Sequence, residues 1–168
     1  MLSTLALFIF PVLMAYAASS DLLTMRIANW LVGLVALSYL VLAPLVGIGW
    51  SEIGWSALAG AIVLAIAFAF FAFGWIGGGD AKLVAASTLW VGFGFMLQYL
   101  VYAALLGGAL TLLILSIRRY PLPEGLARHR WIDRLHDSKS GVPYGIALAI
   151  AAVLVYPETP IFKQLAGF

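Results

Sequence analysis

Polar positions in this chain do not recur with the regular spacing of a surface helix or a half-buried strand. They interrupt long apolar blocks instead. Blocks at residues 2–18, 30–49 and 53–73 each approach the roughly 20 residues that carry a helix across a bilayer. The next block, 81–117, is too long for one crossing and short for two, and Gly92, Gly94 and Gln98 mark the turn that divides it. The division gives a short fourth span at about 81–93 and a full fifth at about 95–117. Arg118-Arg119-Tyr120-Pro121 stops the fifth, and a polar loop follows to residue 141, with a short interfacial helix expected at 131–135. Residues 142–156 form a sixth, short span before Pro157 and Pro160 break the pattern. The expected fold is all-α, a polytopic membrane protein of six transmembrane helices forming one domain over residues 1–168.

Composition sharpens this picture. The chain is 64% hydrophobic and 10% charged, against roughly a quarter charged in a soluble domain. A small net charge of +2, with the basic residues gathered in one loop, points to topology and contact with membrane lipids and not to nucleic acid. Cysteine is absent, which removes disulfides, thiolate nucleophiles and cysteine-based zinc sites. His129 and His136 stand in the basic loop without further obvious ligands, so neither metal nor cofactor is expected. Ala15-Tyr16-Ala17 has the small residues of a signal cleavage site, but no Lys or Arg precedes Arg26, and the first block is read as a retained span.

Charge also orients the spans. With six crossings, Arg26, Lys82 and the cluster from Arg118 to Lys139 share one side, which is cytoplasmic by the positive-inside rule, and both termini lie outside. In the third block Ala57, Ala61, Ala65 and Ala69 recur every fourth residue, a smooth stripe that would let a neighbouring helix approach closely. Gly107-Gly108 in the fifth span offers a similar packing contact.

Of seven acidic residues, only Asp21 and Asp80 fall at span boundaries on the cytoplasmic side. Two carboxylates that share a site resist double ionisation, so one can hold a proton while the other acts as base. That is the equipment for activating water against a peptide carbonyl and protonating the leaving amine. Structural roles stand beside this one. Asp80 could be the N-cap of its helix, and Asp21 an ordinary interfacial carboxylate near Arg26. Gly77-Gly78-Gly79 is either a flexible connection or a backbone kept bare for an extended substrate. A fourth helix of about 13 residues covers roughly 20 Å, less than the hydrocarbon thickness of about 30 Å. Asp80 is therefore expected below the membrane surface yet in contact with cytoplasmic water.

Three segments carry a resemblance. Gly77-Gly78-Gly79-Asp80-Ala81-Lys82-Leu83 is similar to the GxGD signature of the type IV prepilin peptidases, and Asp21-Leu22-Leu23-Thr24-Met25-Arg26-Ile27-Ala28-Asn29 resembles the segment that holds their first aspartate. Lys139-Ser140-Gly141-Val142-Pro143-Tyr144-Gly145-Ile146-Ala147-Leu148 resembles their basic-residue, Pro-Tyr-Gly entry to the last helix. Ala28 and Ile146 stand where many members have proline. Without cysteine, and with no domain ahead of its first span, the chain resembles the short, peptidase-only members of tight-adherence (Flp) pilus systems.

The resemblance implies a GxGD-type aspartyl protease fold in the bacterial inner membrane. It further implies that Asp21 and Asp80 are the catalytic pair and that the partner is a prepilin, whose basic leader is cut from its hydrophobic helix at the cytoplasmic surface. Gly77, Gly78, Gly79, Lys82, Arg26, Lys139, Pro143 and Tyr144 are candidates for substrate binding or loop support. Competing classes are a proton- or ion-coupled small transporter, and a non-catalytic pilus or secretion assembly protein with the same fold.

Overall fold

The structure, a computed structural model, describes residues 2–167. Its regular elements are all helical among the described residues. The elements are α1 (Leu2–Thr24), α2 (Asn29–Leu45), α3 (Trp50–Ala72), α4 (Gly78–Val91), α5 (Met96–Ile117), α6 (Glu124–Ala127), α7 (Arg130–His136), α8 (Tyr144–Val155) and α9 (Pro160–Ala166).

Segments long and apolar enough to cross a membrane are Leu5–Thr24, Trp50–Ala72 and Phe93–Ile117. Tyr144–Glu158 and Pro160–Ala166, bent by 59°, make a fourth when taken together. The chain is thus a membrane protein of three to four candidate spans among its described residues. The expected second and fourth spans are the shorter helices α2, of 17 residues, and α4, of 14. The expected turn near Gly92 is present. Gly92 has φ +78° and opens a short 3-10 turn, Phe93–Phe95, ahead of α5.

The helices wrap around α4. Ala81, Leu83 to Thr88, Trp90 and Val91 are all buried, because α2, α3, α5 and α8 pack on different sides of this one short helix. At its far end Trp90 stacks on Phe10 of α1, with ring centroids 4.8 Å apart, and meets the edges of Tyr39 and Tyr156. The indole Nε1–H donates to the Val35 carbonyl at 2.8 Å, satisfying its one donor inside the core.

Two local readings are corrected. α1 does not stop ahead of Asp21 but carries it inside the helix. The hydroxyls of Ser19 and Thr24 donate to the carbonyls four residues earlier, at 2.8 and 2.7 Å, so these polar residues continue the helix. Met25, at φ +54°, ends it by left-handed closure, with its N–H on the Asp21 carbonyl at 2.7 Å. The alanine stripe is also corrected. Ala57, Ala61, Ala65 and Ala69 are exposed, and α3 packs on α4 through Ile53, Ser56, Ala59, Gly60, Val63 and Ala67. Gly60 makes the close approach, since a Cβ there would lie 3.0 Å from Leu89 Cδ2 and 3.3 Å from the Ala85 carbonyl oxygen.

A 3.2 Å approach also exists at Gly107, whose missing Cβ leaves room for the Tyr144 ring, whereas Gly108 faces open space. The expected short helix in the basic loop is α7.

Candidate active site

Asp21 lies in the last turn of α1 and is only 5% exposed. Its Oδ2 accepts the backbone N–H of Gly145 at 2.8 Å. Gly145 is the second residue of α8, where N–H groups have no partner within the helix and the dipole favours negative charge. The approach depends on the missing side chain. A Cβ on Gly145 would sit 2.8 Å from Asp21 Oδ2, 3.0 Å from Asp21 Cβ and 2.9 Å from Ile27 Cδ1.

Asp80 stands on α4 and is not its N-cap, as one structural reading held. Gly77 takes that position, with φ −72° and ψ 146°, and Asp80 follows in the first turn. Its carboxylate leans back over Gly77, so closely that a Cβ there would lie 2.8 Å from Asp80 Oδ2. The three glycines divide the crowding. Gly78 lies under the Phe71 ring and Gly79 under Ile27, each 3.2 Å from where a Cβ would stand. They form the cap and first turn of α4 and not a loose connection.

The two carboxylates line one cavity of about 490 Å³, with Ser20, Thr24, Arg26, Asn29 and the three glycines around them. Asp80 is half-buried and lies within coulombic reach of Asp21. On its other side it lines a second cavity, of about 370 Å³, whose remaining walls are apolar apart from Tyr144. Among the described residues no group of three or more His, Asp or Glu could hold a metal ion.

The connection between α1 and α2 lines the polar cavity. Ser20 Oγ donates to the Arg26 carbonyl at 2.9 Å, folding residues 25–28 back on the helix end. This places Ile27 against both Gly79 and Gly145, wedged between the two elements that carry or orient the aspartates. The Arg26 side chain is exposed and lines the cavity. Lys82 Nζ donates to Asn29 Oδ1 at 2.9 Å, tying the starts of α4 and α2 together.

The remaining sequence candidates divide. Pro143 is the buried N-cap of α8. Tyr144 turns to the apolar cavity, where its hydroxyl bonds Thr111 Oγ1 at 2.9 Å. Lys139 is exposed in the basic loop, outside the residues lining either cavity, and its backbone N–H donates to Asp137 Oδ1 at 2.9 Å.

The sequence marked none of Ile27, Asn29, Gly145 and Arg118 as site residues, and placed Arg118 only at the end of the fifth span and in the basic cluster. Arg118 gathers the basic loop through the carbonyls of Leu135, Ser140 and Gly141, at 2.9, 3.1 and 2.9 Å. Arg134 Nη1 donates to the Leu23 carbonyl at the end of α1, at 3.3 Å. The available signals were the glycine after Pro143-Tyr144 and the lone isoleucine in the polar stretch 21–29. Nothing local distinguishes Arg118 from Arg119.

The model of the type IV leader peptidase family matches residues 8–112, a stretch that contains both Asp21 and Asp80. No curated protein and no solved structure matches the chain.

Proposed function

The chain belongs to the type IV leader peptidase family, and from that premise we propose that it cleaves the leaders of Flp-type prepilins with Asp21 and Asp80 as its catalytic aspartates. The family makes it a membrane protease acting on prepilins in general terms. The observation that carries the finer reading is that both carboxylates line one polar cavity although they stand on separate helices.

In this mechanism one carboxylate takes a proton from a water held between the pair. The resulting hydroxide attacks the carbonyl carbon of the scissile peptide bond, and the other carboxyl group, still protonated, passes its proton to the departing nitrogen as the C–N bond breaks. The Gly145 N–H fixes the position of the Asp21 carboxylate, and the start of α4 fixes Asp80. Arg26, exposed at the cavity, would pair with a substrate carboxylate near the cut.

The proposed setting is the bacterial inner membrane, with a single six-span peptidase domain and the aspartates on the cytoplasmic side. α4, at 14 residues, is about 21 Å long and cannot cross roughly 30 Å of hydrocarbon alone. This supports an Asp80 placed below the surface, next to a wet cavity as a hydrolase requires.

The test is co-expression with candidate Flp-type prepilins, following leader removal on a gel. Asp21→Asn and Asp80→Asn are each expected to lower processing by about 10²-fold or more while the protein still inserts, since each removes an acid–base partner. Processing that persists in both variants overturns the assignment.

A further inference from the structure

The polar cavity holds the aspartates, but it does not account for the apolar cavity that shares Asp80 with it. That second cavity is a groove between α3 and α5. These two helices scarcely touch among the described residues, because α3 packs along α4 while α5 packs on α8. Ala67 and Phe70 of α3 form one wall, Ala104 and Gly107 of α5 the other, and Val84 of α4 lies between them. Tyr144 also lines it, fixed by its bond to Thr111 and by the close fit of its ring to Gly107.

A ligand that passes Asp80 therefore changes surroundings. On one side it meets backbone, hydroxyls, Arg26 and Asn29, and on the other apolar side chains that offer a polar segment nothing. The matching chemistry is a peptide whose polar segment runs directly into an apolar helix, with its cleavable bond at the change. Along α3 the groove extends from Phe70 to Val63, about 10 Å, or roughly two turns of a bound helix. Ala104, exposed on α5, keeps that wall low enough for a helix backbone to come close.

Resting on the peptidase reading above, we propose that the α3/α5 groove receives the first two turns of the substrate's apolar helix, and that this docking sets the scissile bond at Asp80.

The absence of cysteine makes a direct test clean. Ala104→Cys and, as a control, Leu105→Cys on the outward face of α5 are each co-expressed with a prepilin carrying one cysteine in the first two turns of its apolar helix. Oxidation is expected to cross-link the substrate to the Ala104→Cys chain and not to the Leu105→Cys chain. A second arm compares full-length prepilin with a soluble peptide that spans the junction and lacks the helix. Ala104→Trp is expected to lower the ratio of full-length processing to peptide cleavage at least tenfold, and Leu105→Trp to leave it unchanged.

The proposal is overturned if Ala104→Cys cross-links only to a second copy of this chain, or if the substrate cross-links through Leu105→Cys instead. It is also overturned if Ala104→Trp processes full-length prepilin normally, as it would if the groove held only lipid. Failure of the unmodified chain to cleave any prepilin would instead sink the peptidase reading, a result distinct from all of these.

Discussion

Asp21 Oδ2 and the Gly145 N–H are joined by a 2.8 Å hydrogen bond across 124 positions of sequence, between the last turn of α1 and the first turn of α8. The bond holds a nearly buried carboxylate by a helix end and requires that residue 145 have no side chain. Gly145→Ala should therefore lower prepilin processing by at least about tenfold, because small displacements of a reacting group carry large rate penalties. Gly108→Ala, which faces open space, should process normally, and gel-based processing at matched membrane levels compares the two.

The three glycines before Asp80 should respond unequally. Gly78→Ala meets the tip of an exposed Phe71 ring that can swing aside, and alanine favours the helix by up to about 1 kcal/mol over glycine. That variant should keep most of its activity. Gly77→Ala strikes the Asp80 carboxylate and Gly79→Ala strikes the Cβ of Ile27, so both should lose processing severalfold or more. Equal loss across all three would refute this account of the crowding.

Arg118 holds three carbonyls of the basic loop, and Arg119 donates no side-chain hydrogen bond to that loop among the described residues. Arg118→Gln should expose the loop near Lys139 to trypsin, seen as faster cleavage in limited proteolysis of membranes. Arg119→Gln should leave the digestion rate close to that of the unmodified protein.

Lys82 and Asn29 are a single exposed pair, worth about 1 kcal/mol or less. Lys82→Met and Asn29→Ala should each reduce processing by less than about fivefold, and the double variant should be no worse than the more damaged single one. Additive losses would mean that the two side chains act separately, for instance with Lys82 holding substrate directly.

The sequence determined the helical, membrane-embedded class, because apolar blocks of span length admit no other way to satisfy their backbone in lipid. It also singled out Asp21 and Asp80, since a carboxylate at the edge of an apolar block stands out against its neighbours. Gly92 was legible as a break because no other residue so readily takes its left-handed conformation.

Tertiary structure alone decided what depends on partners distant in the chain. The alanine stripe of α3 has the spacing of a packing face, yet α4 packs on the side bearing Gly60 and Ala67, and periodicity within one helix cannot say which side a neighbour will choose. Ile27 is an ordinary apolar residue until α4 and α8 bring Gly79 and Gly145 against it. Asp80 carries no local mark of lying between a polar cavity and an apolar groove. That position arises because α3 and α5 pack on different partners and leave a groove between them that reaches Asp80 and Val84 of α4.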